Sequence, residues 1–93
     1  MTNKYEVALV LSVAIGDEAV NALKEKFNDL IAKNGTVENV DEWGKRRLAY
    51  PINDETEGYY IFTTMTSEPA LPAELERIAG ITEGVLRIMV IRK

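Results

Sequence analysis

The chain has 93 residues, 46% of them apolar, and a formal charge of −4 at pH 7. That suffices for one two-layer core and argues against indiscriminate nucleic-acid binding, which needs Lys and Arg over a broad surface. The absence of cysteine and histidine removes disulfides, thiolate and Ser-His-Asp nucleophiles and nearly all zinc chemistry, so neither a metal nor another cofactor is expected.

The first predicted element runs from Tyr5 to Val13, where Tyr5, Val7, Leu9 and Leu11 are larger than the residues between them. This reads as a central strand with one heavily packed face. Gly16 and Asp17 then supply a break and an N-cap, and Val20, Leu23, Phe27, Leu30 and Ile31 recur at helical spacing. Asn34-Gly35 is the expected C-terminal cap. A long second strand spans Thr36 to Ile52, with Gly44 as its expected bulge or bend. The polar turn Asn53 to Gly58 leads into a third strand, Tyr59 to Met65, rich in aromatic and β-branched residues. Ser67-Glu68-Pro69 opens a second helix striped with Leu71, Leu75, Ile78 and Ala79, and Gly80 is its expected stop. In the fourth strand, Val85 to Arg92, one side carries Arg87, Met89 and Ile91 and the other Leu86, Ile88 and Val90.

The order βαββαβ predicts an α+β fold of the ferredoxin-like kind over a single domain, residues 1–93: a four-stranded antiparallel sheet with two helices on one face. The second strand is then an edge and the other sheet face is open. Ala8, Val10, Tyr59 and Ile61 are expected on that open face with Met89 and Ile91, an apolar surface suited to protein contact. No run approaches the roughly 20 apolar residues of a bilayer span. Met1 to Val7 also lacks the charged start and apolar run of a secretion signal, so no membrane partner and a cytoplasmic location are expected.

Charge is distributed unevenly. Residues 43–53 and 84–93 hold six of the eleven Lys and Arg and no acid, whereas the other 72 residues carry five cations and fifteen acids, a net of −10. The core of this basic feature is Trp43-Gly44-Lys45-Arg46-Arg47-Leu48-Ala49-Tyr50-Pro51-Ile52. Two-residue alternation sends Arg46, Leu48, Tyr50 and Ile52 to one side and Lys45, Arg47 and Ala49 to the other, unless Gly44 shifts the register. Two readings are open: the cations protect an apolar edge strand from aggregation, or the arginines contact phosphates beside Trp43 and Tyr50.

Other chemistries find little support. The segment Glu57 to Phe62 is a failed match to the third strand of the RNA recognition motif: Glu57 stands for its cation, Tyr60 for a small residue and Ile61 for a stacking aromatic. Sheet-face base stacking is therefore not expected, and Tyr59, Tyr60 and Phe62 are assigned to core and interface. The carboxylates fall singly on helix faces and turns, and Ser12 to Gly16 lacks the cation of an acylphosphatase-like anion loop. No enzyme and no small-molecule substrate are expected.

Lys4-Tyr5-Glu6, the run Trp43 to Ile52, Glu57-Gly58-Tyr59-Tyr60 and Val85 to Val90 together closely resemble the bacterial family of small-subunit ribosomal protein six, from end to end. The resemblance implies a non-catalytic ribosomal protein that binds small-subunit ribosomal RNA together with small-subunit ribosomal protein eighteen. Residue by residue, it implies Lys4, Tyr5, Arg46, Arg47, Arg87 and Arg92 on the RNA side, and Trp43, Leu48, Tyr50 and Met89 toward the protein partner. Many members extend past the fourth strand with an often acidic tail, whereas this sequence ends at Lys93. The rival class is a ferredoxin-like homodimer, a ligand-binding or regulatory module without RNA, which would explain the apolar face equally well. Self-regulation through messenger RNA would use the same surface.

Overall fold

The structure, a computed structural model, describes residues 2–52 and 55–93. For Ala49, Tyr50 and Ile52 it describes the backbone alone. The packed face expected of the first strand organises everything else. β1 (Asn3–Ser12) lies inside the sheet, antiparallel to β3 (Glu55–Ser67) on one side and to β4 (Val85–Arg92) on the other. β2 (Gly35–Ile52) adds outside β3, giving the strand order β2-β3-β1-β4. With α1 (Asp17–Asn34) and α2 (Ala70–Ile81) on one face, this is the ferredoxin-like α+β sandwich.

Tyr5, Val7, Leu9 and Leu11 project toward the helices and meet Val20, Phe27 and Ile31 of α1 and Leu71, Leu75 and Ala79 of α2. Leu11, Met65 and Leu75 are wholly buried, at 0% exposure, and mark the centre of the core. Both apolar stripes are those expected from helical spacing. Leu23, Leu30 and Ile78 lie half-buried at their margins.

The element ends differ from the sequence expectation for local reasons. Gly16 precedes α1 with no side-chain cap, and Asp17 is the first helical residue, where its charge faces the positive end of the helix dipole. Gly35 is extended, with φ −168°, so no left-handed cap forms and the chain passes directly from Asn34 into β2. The Asn34 side chain instead donates to the Leu30 carbonyl at 2.9 Å. Ser67 belongs to β3, and α2 begins only after Pro69. Gly80 lies inside the last turn of α2, which ends beyond it because the Thr82 amide donates to the Ala79 carbonyl at 3.3 Å. β3 begins at Glu55, earlier than the expected turn allowed, while Asn53 and Asp54 of that turn lie outside the described residues.

One expectation about the sheet faces is overturned. Register pairs Val10 with Tyr60, Ala8 with Phe62 and Leu9 with Ile61. Ile61 is therefore in the core with Tyr59 packed against it, and Tyr60 and Phe62 take the open face beside Ala8 and Val10. In β4, Met89 pairs with Ala8 and Ile91 with Glu6, which puts both on the open face as expected, at 40% and 51% exposure.

Candidate nucleic-acid and protein interface

β2 is an edge strand whose register against β3 shifts at three places, between Val37 and Asn39, between Glu42 and Gly44 and between Arg47 and Ile52, and the first two are single-residue bulges. Between Val37 and Asn39 the extra residue is Glu38, and between Glu42 and Gly44 it is Trp43. Each bulge adds one side chain to the open face. Glu38 accepts a hydrogen bond from the Thr66 hydroxyl and pairs with Lys4 at 3.0 Å. Trp43 packs its ring 4.6 Å from that of Phe62 and donates from Nε1 to Asp41 Oδ2 at 3.0 Å. Gly44, next to the bulged Trp43, has φ +76°, the left-handed conformation that glycine adopts readily.

These placements divide the open face lengthwise. At the end where β1 begins, charges cancel within the chain: Lys4 with Glu38, and Lys93 with Glu6 at 3.6 Å. At the other end the surface is aromatic and apolar, formed by Trp43, Phe62, Tyr60, Ala8 and Met89. Leu48 closes this end over Val10 and Gly58. A Cβ on Gly58 would lie 2.5 Å from Val10 Cγ1 and 3.3 Å from Leu48 Cδ2, so glycine is needed for that approach.

The structure does not gather the residues assigned to RNA into one patch. Arg46, opposite Gly58, and Arg87, opposite Val10, belong to the aromatic end, with Arg47 beside them opposite Glu57. Lys4, Tyr5 and Arg92 lie at the opposite end of β1; Lys4 and Ser12 are separated by eight residue steps, roughly 27 Å at about 3.4 Å per residue. Tyr5 is 7% exposed, packs in the core, and accepts through its hydroxyl from Asn3 Nδ2 at 3.3 Å. Arg92 donates to Asn3 Oδ1 at 3.0 Å. Of the residues assigned to the protein partner, Trp43 and Met89 are exposed on the open face, whereas Leu48, which covers Gly58 on that face, is buried. The side chain of Tyr50 lies outside the described residues.

On the helix-facing side of β2, Glu42 and Lys45 are each engaged by neighbouring elements. Glu42 accepts hydrogen bonds from Lys24 at 2.8 Å and from the Tyr59 hydroxyl at 2.9 Å. These contacts, Lys24 foremost, hold its carboxyl below the usual range, and the Glu42 contact raises Lys24 in return. Lys45 reaches Asp17 at 3.8 Å. Arg46 and Arg47 are exposed and make no hydrogen bond or ion pair among the described residues.

Sequence reasoning missed Tyr60 and Phe62 as open-face residues. The only signal was the aromatic pair itself, because the alternating set Tyr59 and Ile61 is equally apolar. Among the described residues no helix is long and apolar enough to cross a membrane.

The fold and surface define a small ferredoxin-like α+β domain, acidic overall, with an aromatic open sheet face and, at its end, Arg46 and Arg47, which make no ion pair among the described residues. A family model described as ribosomal protein S6 matches residues 4–92, and the chain belongs to that family. It is 51% identical over 88 residues to the small ribosomal subunit protein bS6 of Clostridium novyi (strain NT), covering 94% of this chain and 93% of that one. To the bS6 protein of Clostridium perfringens (strain SM101 / Type A) it is 48% identical over 91 residues, 97% of this chain and 96% of that one. The crystal structure of 30S ribosomal protein S6 from Thermotoga maritima superposes with a TM-score of 0.92 at 23% identity, covering 100% of this chain and 89% of that one, and shares the fold. Membership makes this chain a structural component of the small ribosomal subunit, located on the cytoplasmic ribosome, and not an enzyme.

Proposed function

We propose that this chain binds small-subunit ribosomal RNA jointly with small-subunit ribosomal protein eighteen, RNA meeting Arg46 and Arg47 and the partner protein meeting the aromatic end of the open sheet face. The observation that carries the reading is the difference among the cations. Lys4, Lys24, Lys45, Arg77 and Lys93 are each engaged by a carboxylate of their own chain. Among the described residues Arg46 and Arg47 are not, and guanidinium groups so placed suit phosphate and base edges.

Trp43, 49% exposed, and Met89, 40% exposed, supply the large apolar side chains typical of an interface centre. A basic partner would relieve the acidic balance of the domain, so that this chain contributes a few phosphate contacts and a shaped apolar surface. Lys4, Arg87 and Arg92 are secondary RNA contacts on this reading.

The test is joint binding of a small-subunit RNA fragment and protein eighteen in a mobility assay at fixed salt. Arg46→Ala with Arg47→Ala weakens it by about 1 to 3 kcal/mol per lost charge-assisted contact while leaving the fold intact. Unchanged affinity would remove the basic run from the interface.

A further inference from the structure

We infer that Gly44 is a positioning residue: by holding the bulge at Trp43, it selects which cations of the basic run reach the open face. This inference rests on the assignment of Arg46 to the RNA contact. Along β2, Glu42 pairs with Ile61, Gly44 with Tyr60, Lys45 with Tyr59 and Arg46 with Gly58. Two residues, Trp43 and Gly44, thus occupy one step of β3.

A regular strand continuing from Glu42 would pair Trp43 with Tyr60, Lys45 with Gly58 and Arg46 with Glu57. Every later side chain would change face. Lys45 and Arg47 would lie on the open side, and Arg46 would turn to the helix side. Leu48 would leave Val10 and Gly58, which it covers.

The bulge thereby sorts the cations. Lys45 is sent toward α1, where Asp17 engages it at 3.8 Å, and Arg46 is delivered to the aromatic end, with no ion pair among the described residues. Glycine is favoured here for conformation and not for space: nothing lies within 4 Å of a Cβ placed at Gly44, yet its φ is +76°. An L residue with a branched side chain strongly disfavours that region, whereas Asn tolerates it. Asp41 and Phe62 fix the extra residue from the other side by holding the Trp43 ring.

The experiment compares four proteins, Gly44→Val, Gly44→Asn, deletion of Gly44 and Arg46→Ala, with the parent. Each is measured for joint binding to the RNA fragment and protein eighteen, and for cross-strand NMR contacts between β2 and β3. Deletion removes the extra residue, so regular alternation returns Arg46 to the open face opposite Gly58. Gly44→Val is expected to pair Lys45 with Gly58 and to lose about tenfold in affinity, as Arg46→Ala does, which corresponds to one charge-assisted contact. Gly44→Asn and the deletion are expected to keep Arg46 opposite Gly58 and to bind within about threefold of the parent, less than one such contact. Retained Arg46–Gly58 pairing in Gly44→Val, or a folded deletion variant that binds as poorly as Gly44→Val, would overturn the role of Gly44. An inert Arg46→Ala would instead overturn the RNA assignment, and the NMR pairing alone would then decide whether the bulge sets the register.

Discussion

Lys24 of α1 closes onto Glu42 of β2 at 2.8 Å, so that the helix layer is tied directly to the edge strand. Tyr59 reinforces the same carboxylate from β3 at 2.9 Å, and the Lys24 ammonium lies 5.2 Å from the centre of the Tyr59 ring. One carboxylate thus joins three elements whose mutual packing places the bulged half of β2. The contact is half in solvent, with the Glu42 side chain 45% exposed, which keeps its contribution near the scale of surface ion pairs.

That contact predicts a specific pH dependence. The folded carboxyl of Glu42 is lowered, so its contribution is present above the ordinary carboxylate range and is lost as pH falls through the folded value. Lys24 is raised, so its contribution is complete below the ordinary lysine value and is lost only as pH rises through the folded one. Glu42→Gln is expected to cost about 0.2 to 1 kcal/mol at pH 7 and nothing at acid pH, where the parent has already lost the pair. Urea unfolding at both pH values measures this, and a penalty that persists in acid would contradict it.

The core and the exposed end of α2 should respond very differently to truncation. Leu75, 0% exposed, lies between the helices and the sheet, and Leu75→Ala is expected to destabilise by about 2 to 5 kcal/mol through lost transfer energy and the cavity left behind. Ile81 is 76% exposed, and Ile81→Ala should stay within about 0.5 kcal/mol of the parent. Denaturant midpoints at constant m-value provide the comparison.

Gly58→Ala tests the close approach on the open face. Its new methyl would meet Val10 Cγ1 at 2.5 Å and the side chain of Leu48 at 3.3 Å. Overpacking of this kind costs about 1 to 3 kcal/mol. The NMR shifts of the Val10 and Leu48 methyls should move while those of Leu75, on the helix side, remain in place. Wild-type stability with unmoved Val10 and Leu48 methyls would show that the approach is looser than described.

Salt dependence separates Arg46 and Arg47 from the paired Arg77. Each phosphate contact adds about 0.7 to 0.9 to the slope of log affinity against log salt. The Arg46→Ala, Arg47→Ala double variant should therefore reduce the slope for joint RNA binding by about 1 to 2. Arg77 is held by Glu74 through Nη2 at 2.6 Å and Nε at 3.2 Å, and Arg77→Ala should leave the slope unchanged. Equal slopes for all three proteins would mean that the basic run touches no phosphate.

The residues that sequence reading placed well share one property: their environment repeats along the chain. Val20, Phe27 and Ile31 mark a helix face, and Tyr5, Val7, Leu9 and Leu11 a strand face, because large and small side chains alternate at the period of the element. Where both alternating sets are apolar, that signal vanishes. Tyr59 and Ile61 cannot be told from Tyr60 and Phe62 by periodicity, and only the pairing of Val10 with Tyr60 assigns each set to its face.

The sequence by itself determined the order of elements, the buried stripes, the segregated basic run and, through the pattern Trp43 to Ile52, the family. The tertiary structure alone decided what the basic run presents. Asp17 takes Lys45, Glu38 takes Lys4, and the bulge at Trp43 turns Arg46 toward the open face. The physical reason is that neutralisation of a charge and the side a strand residue faces after a bulge both depend on partners distant in sequence. Periodicity is local, whereas register and ion pairing exist only once the strands and helices are assembled.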